Sequence, residues 1–424
     1  PLAATWIMMA AEGPFLAAII ARLPDATYNL AAYGVAFALA IVIEGPVMML
    51  MSAATSLVKD RISYTKLRNF SRVLAVGTTL FLLLFLYPPF YRSLVDGALG
   101  LPREVADLTY GALWFFIPWP AAIAYRRFIQ GVLIRSGKTR LVAYGTAIRF
   151  VGMMMAAFIG YFFLNIPGAF VGSLALSAGV VVEAVAARIM ADSTIRAMLG
   201  GDLDEGPPVK ITYKEISAFY FPLALTSLIG LSTQPLLTFF MGRSVAPIES
   251  LAVFPVIVGL SFFFRSLGLA FQDAAIALMG ERFKHLPELG RFAVSLALVT
   301  TGCLALITLT PVAQVYFVSL SGLTEELTRF AVIPARIIVP LPALTVLLTF
   351  QRAILVEGRR TRHITVASTI EISMVAAMFV VLGWGLDLVG VTAAFSAFLI
   401  ARILSNSYLM VVCRRVVKET RVTS

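Results

Sequence analysis

Apolar runs of about twenty residues or more follow one another along the whole chain, separated by short polar turns. A run of that length spans the hydrocarbon core of a bilayer as a helix. The pattern predicts twelve spans, at 1–22, 30–58, 66–88, 105–135, 139–164, 168–198, 214–241, 247–280, 290–319, 324–357, 361–384 and 388–415. Their length argues against a β-barrel, whose strands are shorter and alternate in polarity. The longest break in the pattern is Gly200 to Lys214, with two Gly, two Pro and three acids within nine residues, the signature of a linker. The reading is an all-α integral membrane protein, with a six-helix lobe over 1–199, a cytoplasmic linker over 200–213 and a second lobe over 214–424.

The halves repeat one pattern. At an offset of 221 residues, Pro1-Leu2-Ala3 meets Pro222-Leu223-Ala224, Pro14 meets Pro235, and Arg22 meets Arg243. At 222, Pro118 and Pro120 meet Pro340 and Pro342, and Lys138-Thr139-Arg140 meets Arg360-Thr361-Arg362. Prolines and basic turns stay in step, which chance matching of apolar residues would not produce. Six spans per copy is an even number, so both copies enter the membrane in the same direction, related by a pseudo-twofold axis along its normal. Each proline removes a backbone donor and permits a bend.

Composition agrees: 59% of residues are hydrophobic and 13% charged, with a mean hydropathy of +0.90. The net charge of +11 would fit a nucleic-acid partner if it were clustered. It is distributed by side instead. The loops after the even-numbered spans carry 21 of the 34 basic residues, and the opposite loops carry only Arg22, Arg92, Arg103, Arg243 and Arg329. The positive-inside rule then puts both termini and the linker in the cytoplasm, with the chain in the cell (inner) membrane and no nucleic acid bound. The first residue is Pro1, so a short leader is expected before it. Cys303 and Cys413 stand far apart, and His285 and His363 lie in basic loops, so neither a disulfide framework nor a metal site is expected. Arg135-Ser136-Gly137-Lys138-Thr139 mimics the end of a P-loop, but its glycine spacing is wrong and no strand precedes it. No cofactor and no enzymatic reaction are expected.

The likeness to known proteins lies at the start of each half. Glu12 to Leu39, with Leu30-Ala31-Ala32-Tyr33-Gly34-Val35-Ala36 and then Gly45-Pro46, resembles the first two helices of the progressive ankylosis protein family. Phe221-Pro222-Leu223-Ala224-Leu225 with Gln234-Pro235 resembles that family's seventh helix. More broadly, two six-helix lobes with a cytoplasmic linker look like the MATE-type exporters of the MOP superfamily. The resemblance implies a monomeric secondary transporter working by alternating access. The ankylosis branch exports anionic metabolites such as citrate, nucleotide or pyrophosphate, while other branches export drugs against H+ or Na+ or flip lipid-linked saccharides. It also implies an ion-coupling role for Glu12. Arg149 departs from the family, which prefers an acid at that place.

Ionisable groups at bilayer depth cost about 3 kcal/mol each on insertion scales, so they face protein or water. Glu44 has Arg265 as its repeat mate, Arg149 has Glu371, and Glu183 is matched within a turn by Arg402. The same three places carry charge in both halves with the sign reversed. One account pairs these charges within a lobe, as Arg149 with Glu183 and Glu371 with Arg402. The other sets Glu44 and Arg265 on facing walls of a central cleft. With Arg126 and Arg336 added, such a cleft would be net positive and suited to an anion, so Arg265, Arg336, Arg126 and Glu44 are the expected substrate contacts. Arg127, Arg352 and Arg188 lie near inner ends, where long side chains can reach the headgroups.

Overall fold

The computed structural model describes residues 2–200, 211–280, 283–358 and 360–422. Of the expected linker, 201–210 lies outside the described residues, as does the side chain of Asp273.

In chain order the helices are α1 (Leu2–Ile20), α2 (Ala26–Glu44), α3 (Leu50–Leu57), α4 (Arg61–Phe85), α5 (Pro88–Arg92), α6 (Arg103–Trp114), α7 (Trp119–Arg135), α8 (Thr139–Phe163), α9 (Gly168–Met190) and α10 (Asp192–Gly200). The second half follows with α11 (Tyr213–Leu231), α12 (Thr233–Met241), α13 (Pro247–Leu278), α14 (Leu286–Leu309), α15 (Val312–Gln314), α16 (Glu325–Ile337), α17 (Leu341–Glu357), α18 (Arg362–Phe379) and α19 (Gly390–Val422). Every predicted span coincides with one helix or a broken pair. Among the described residues, nine are long and apolar enough to cross a membrane, and α16 with α17, bent by 42°, makes a tenth. The fold is all-α, as the hydrophobic pattern predicts.

The repeat reappears in local structure. Pro118 is the N-cap of α7 and Pro340 the N-cap of α17, so the matched prolines break the fourth and tenth spans at equivalent points. A proline fits a helix start because the N–H it lacks has no partner there. Wide π-type turns at Ser93–Leu99 and Val315–Leu320 are matched in the same way. Pro14 and Pro235 differ: α1 runs unbroken through Pro14, whereas the seventh span breaks at Ser232, just before Pro235.

The compact units are not the sequence halves. One, here the C-unit, comprises Pro1–Gly34, Leu99–Val105 and Leu236–Ser424; the other, the N-unit, comprises Val35–Ala98 and Ala106–Pro235. These units cut across the sequence halves because the first span of each half packs with helices of the other half.

In the C-unit, α1 lies close against α13. A Cβ on Gly13 would sit 3.6 Å from the Gly259 Cα, and one on Gly259 would come within 3.0 Å of Pro14 N and Cδ. Gly34 packs against the Pro255 ring in the same way, 3.5 Å from where its Cβ would be. Small residues matter here because lipid tails are as apolar as leucine, so helices associate through close packing.

In the N-unit, α11 docks on α4 and the Gly45–Val47 turn. Tyr220 donates its hydroxyl to the Pro46 carbonyl, and its ring meets Phe70 edge-on at 5.3 Å. Lys66 Nζ donates to the Ile211 carbonyl at 2.6 Å, fixing where α11 begins. A reciprocal capping box starts that helix: Glu215 N–H donates to Thr212 Oγ1 at 3.2 Å, and Thr212 N–H donates to Glu215 Oε2 at 2.7 Å.

Candidate functional site

Each unit buries a cluster of charge. In the N-unit, Glu183 on α9 is fully buried and holds Arg126 of α7, with Arg126 Nη1 donating to Glu183 Oε2 at 2.7 Å. Gln130, one turn further along α7, donates Nε2 to the other oxygen at 3.0 Å. Residues four apart lie on one helix face, so a single carboxylate takes both donors. Arg126 is not among the intralobe partners considered for Glu183, which the within-lobe account pairs with Arg149. Arg149 is half-buried and lies within electrostatic reach of Glu44 and Arg127.

Glu44 ends α2 and is buried, accepting a hydrogen bond from the Trp119 indole N–H at the start of α7. Arg127, near an inner span end, packs against sulfur. It is half-buried, with its terminal nitrogens 3.9 and 3.8 Å from the sulfurs of Met51 and Met48. The cluster therefore sets Arg126, Arg127 and Arg149 against Glu44 and Glu183.

In the C-unit, Arg402 on α19 donates Nη2 to Glu371 Oε1 of α18 at 2.7 Å, a pairing that one of the two accounts of the repeat's charges allows. Arg402 also stacks over the Phe398 ring at 5.1 Å, and Arg265 of α13 stacks over the same ring at 5.3 Å. Two guanidiniums on one aromatic ring gain cation–π attraction, which offsets part of their mutual repulsion. Arg265 Nε donates to Thr345 Oγ1 at 3.0 Å. Among the described residues that is its one hydrogen bond, which leaves both terminal nitrogens available to a ligand.

Arg352, expected to reach the headgroups, is half-buried on α17 and lies 3.5 Å from Ser368 Oγ, within electrostatic reach of Arg402 and Glu371. Gln351 and Asn406 lock α17 to α19 through backbone carbonyls, Gln351 Nε2 to Asn406 O at 3.0 Å and Asn406 Nδ2 to Leu344 O at 2.9 Å. Among the described residues, Arg352 Nε, Arg402 Nε, Gln351 Oε1 and Asn406 Oδ1 in this layer are buried without a protein hydrogen-bond partner. Such atoms are costly when dry and mark places where water or a polar ligand binds.

The remaining expected residues are placed as follows. Arg188 is exposed and paired with Asp192 at 2.8 Å, in keeping with a side chain at the inner boundary. Arg336 is exposed on α16, unlike Arg126 and Arg265. Glu12 is buried on α1 beside the Gly13–Gly259 contact. Trp119, Gln130, Thr345, Gln351, Phe398 and Asn406 were not singled out from the sequence. A usable signal existed for two of them: Gln130 stands four residues after Arg126, and Phe398 four before Arg402. Among the described residues, no group of three or more His, Cys, Asp or Glu is placed to hold a metal ion.

With nine or ten membrane-length apolar helices among the described residues and charge buried in each compact unit, the chain is a multi-pass, all-α membrane protein of the MATE/MOP fold. Solved structures of that fold align over nearly its whole length. An inward-facing multidrug resistance MATE family transporter of the MOP superfamily matches with a TM-score of 0.78 at 15% identity, over 99% of this chain and 96% of that one. The lipid II flippase MurJ in an inward closed conformation matches at 0.72 and 13% identity, over 99% and 90%. A MOP superfamily transporter from Pyrococcus furiosus, described as having a binding pocket of reverse polarity that suggests a different function, matches at 0.64 and 14%, over 99% and 95%. No protein-family model matches the sequence, and no curated protein matches it.

Proposed function

We propose that the protein is a secondary transporter that exports a small organic anion, of the citrate, nucleotide or pyrophosphate kind, by alternating access. The carrying observation is the surplus of guanidinium in the C-unit cluster, where, among the described residues, Arg265, Arg352 and Arg402 lie within electrostatic reach of one carboxylate, Glu371. Unbalanced buried charge is expensive, and a bound carboxylate or phosphate would offset it through bidentate contacts. In this reading Glu371 orients Arg402, and Arg265 presents its terminal nitrogens to the anion. The N-unit also gathers Arg126, Arg127 and Arg149 near Glu44 and Glu183. Reversed pocket polarity is described for one structural neighbour, and an arginine-lined site here fits a cargo unlike the cations of drug exporters. Glu12, buried on a proline-containing helix, is proposed to couple export to H+ or Na+. The protein would work as a monomer in the inner membrane with both termini cytoplasmic.

Counterflow in proteoliposomes tests this, with citrate, nucleotides, pyrophosphate and cationic dyes offered in turn. Anion uptake abolished by Arg265→Gln is the expected result; dye uptake indifferent to that change, with no anion moved, overturns it. Transport insensitive to both pH and sodium gradients would remove the coupling role of Glu12.

A second reading is favoured by the likeness to MurJ: a flippase for a lipid-linked saccharide, whose diphosphate would suit the same arginines. Translocation of a fluorescent lipid diphosphate across vesicles, with no counterflow of soluble anions, would select it. A cation-coupled multidrug antiporter ranks third, because its cargo would be repelled by the surplus arginines.

A further inference from the structure

A separate feature lies at the far end of α19. An open groove of about 430 Å³ runs between the first turn of α14, the later turns of α17 and the last turns of α19. Its walls are apolar, formed by residues such as Leu286, Phe350, Ile354 and Val417. Arg414 and Lys418 complete the lining. They stand four apart on α19, so both project from one helix face, and both are exposed. Neither has an ion-pair partner among the described residues, whereas the nearby Glu419 is engaged by Arg360 at 3.5 Å. The distribution of basic residues along the chain puts this end of α19 at the cytoplasmic headgroups.

We propose that the groove binds an anionic glycerophospholipid, with one acyl chain against the apolar walls and the phosphate on Arg414 and Lys418. A soluble anion would leave the apolar walls in contact with water, and a zwitterionic lipid would gain little from two cations. The volume lies in the range of about 300–1,000 Å³ usual for ligand sites, near its lower end, which suits one chain better than a whole lipid. The cytoplasmic leaflet is the one that carries anionic lipid, and basic pockets between helices on that side bind such headgroups. The site is distinct from the buried arginine cluster, and the proposal does not depend on the transported cargo.

Native mass spectrometry of the full chain, titrated in detergent with phosphatidylglycerol or phosphatidylcholine, tests the assignment. Two surface cations predict that phosphatidylglycerol binds about thirtyfold tighter than phosphatidylcholine. Arg414→Gln with Lys418→Gln should erase that preference. Val417→Trp fills the groove without changing charge and should weaken phosphatidylglycerol binding as well. Arg415→Gln, an exposed neighbour that does not line the groove, should leave it intact. Each variant is first matched to the parent in melting temperature without lipid, with Val417→Phe replacing Val417→Trp if the latter fails. The proposal is overturned if the two lipids bind the parent equally, if Arg415→Gln costs as much as the double variant, or if the filled groove keeps full affinity.

Discussion

Removing one member of the Arg126–Glu183 pair should unsettle the N-unit far more than removing both. The Arg126 side chain is 5% exposed and that of Glu183 not at all, so a guanidinium stripped of its carboxylate has little access to water. Breaking a buried pair costs about 3–5 kcal/mol, while replacing the whole pair by apolar groups of similar volume is often near neutral. Glu183→Leu also strips Gln130 of its acceptor, adding about 1 kcal/mol. A cooperative unit of this size loses about 2–4 °C in Tm per kcal/mol. Glu183→Leu is therefore expected to lower Tm by roughly 10 °C or more, and Arg126→Leu by nearly as much. The double variant should recover to within about 3 °C of the parent, with the orphaned Gln130 accounting for the remainder. Thermal unfolding of the detergent-solubilised full chain, followed by tryptophan fluorescence, reads all four corners of the cycle. Single variants that melt with the parent, or a double variant no better than the worse single, would refute the claim that the pair is a dry internal contact.

Further outcomes are expected elsewhere. Trp119→Phe removes the donor to Glu44 and should cost about 1.5–3 kcal/mol, a loss that vanishes in a Glu44→Leu background when both are measured by chemical denaturation. Gly131→Ala puts a methyl group onto the Met51 carbonyl and 2.5 Å from the Ala54 Cβ, so it should unfold or sharply destabilise the N-unit, read as lost monodisperse protein on size exclusion. Gly259→Ala meets Pro14 at 3.0 Å and should cost about 1–3 kcal/mol in the same melting assay. Asp192, at the start of α10 beyond the membrane-length helix α9 (Gly168–Met190), has its carboxyl held below the usual range by Arg188 and then Arg196. Its small stabilising contribution is present above the unfolded pKa and lost as pH falls through the lower folded one. The Tm difference between parent and Asp192→Asn should therefore shrink on acidification and not on raising the pH.

Much of the architecture was legible in the chain itself. Twelve apolar runs specify twelve helical segments because the hydrocarbon core sets a minimum length and forbids unpaired backbone. The matched prolines located the breaks in the fourth and tenth spans, since a residue without an N–H begins a helix readily and continues one badly. The Glu371–Arg402 pair was within reach of pattern reasoning, because two buried charges of opposite sign on adjacent spans must find partners. Partner choice was not. Glu183 pairs with Arg126 because α7 and α9 meet there, and nothing in the spacing of the repeat points to that arginine.

The assignment of spans to units was likewise decided only in three dimensions. Which helix a given helix packs against depends on how closely two backbones can approach, as at Gly13 with Gly259 or Gly45 with Leu228. Hydrophobic pattern fixes that a segment crosses the membrane; it carries no address for its neighbour, because in lipid every apolar face is satisfied. That address is written in small residues and polar contacts between segments more than a hundred positions apart, and it becomes visible only once the chain has folded.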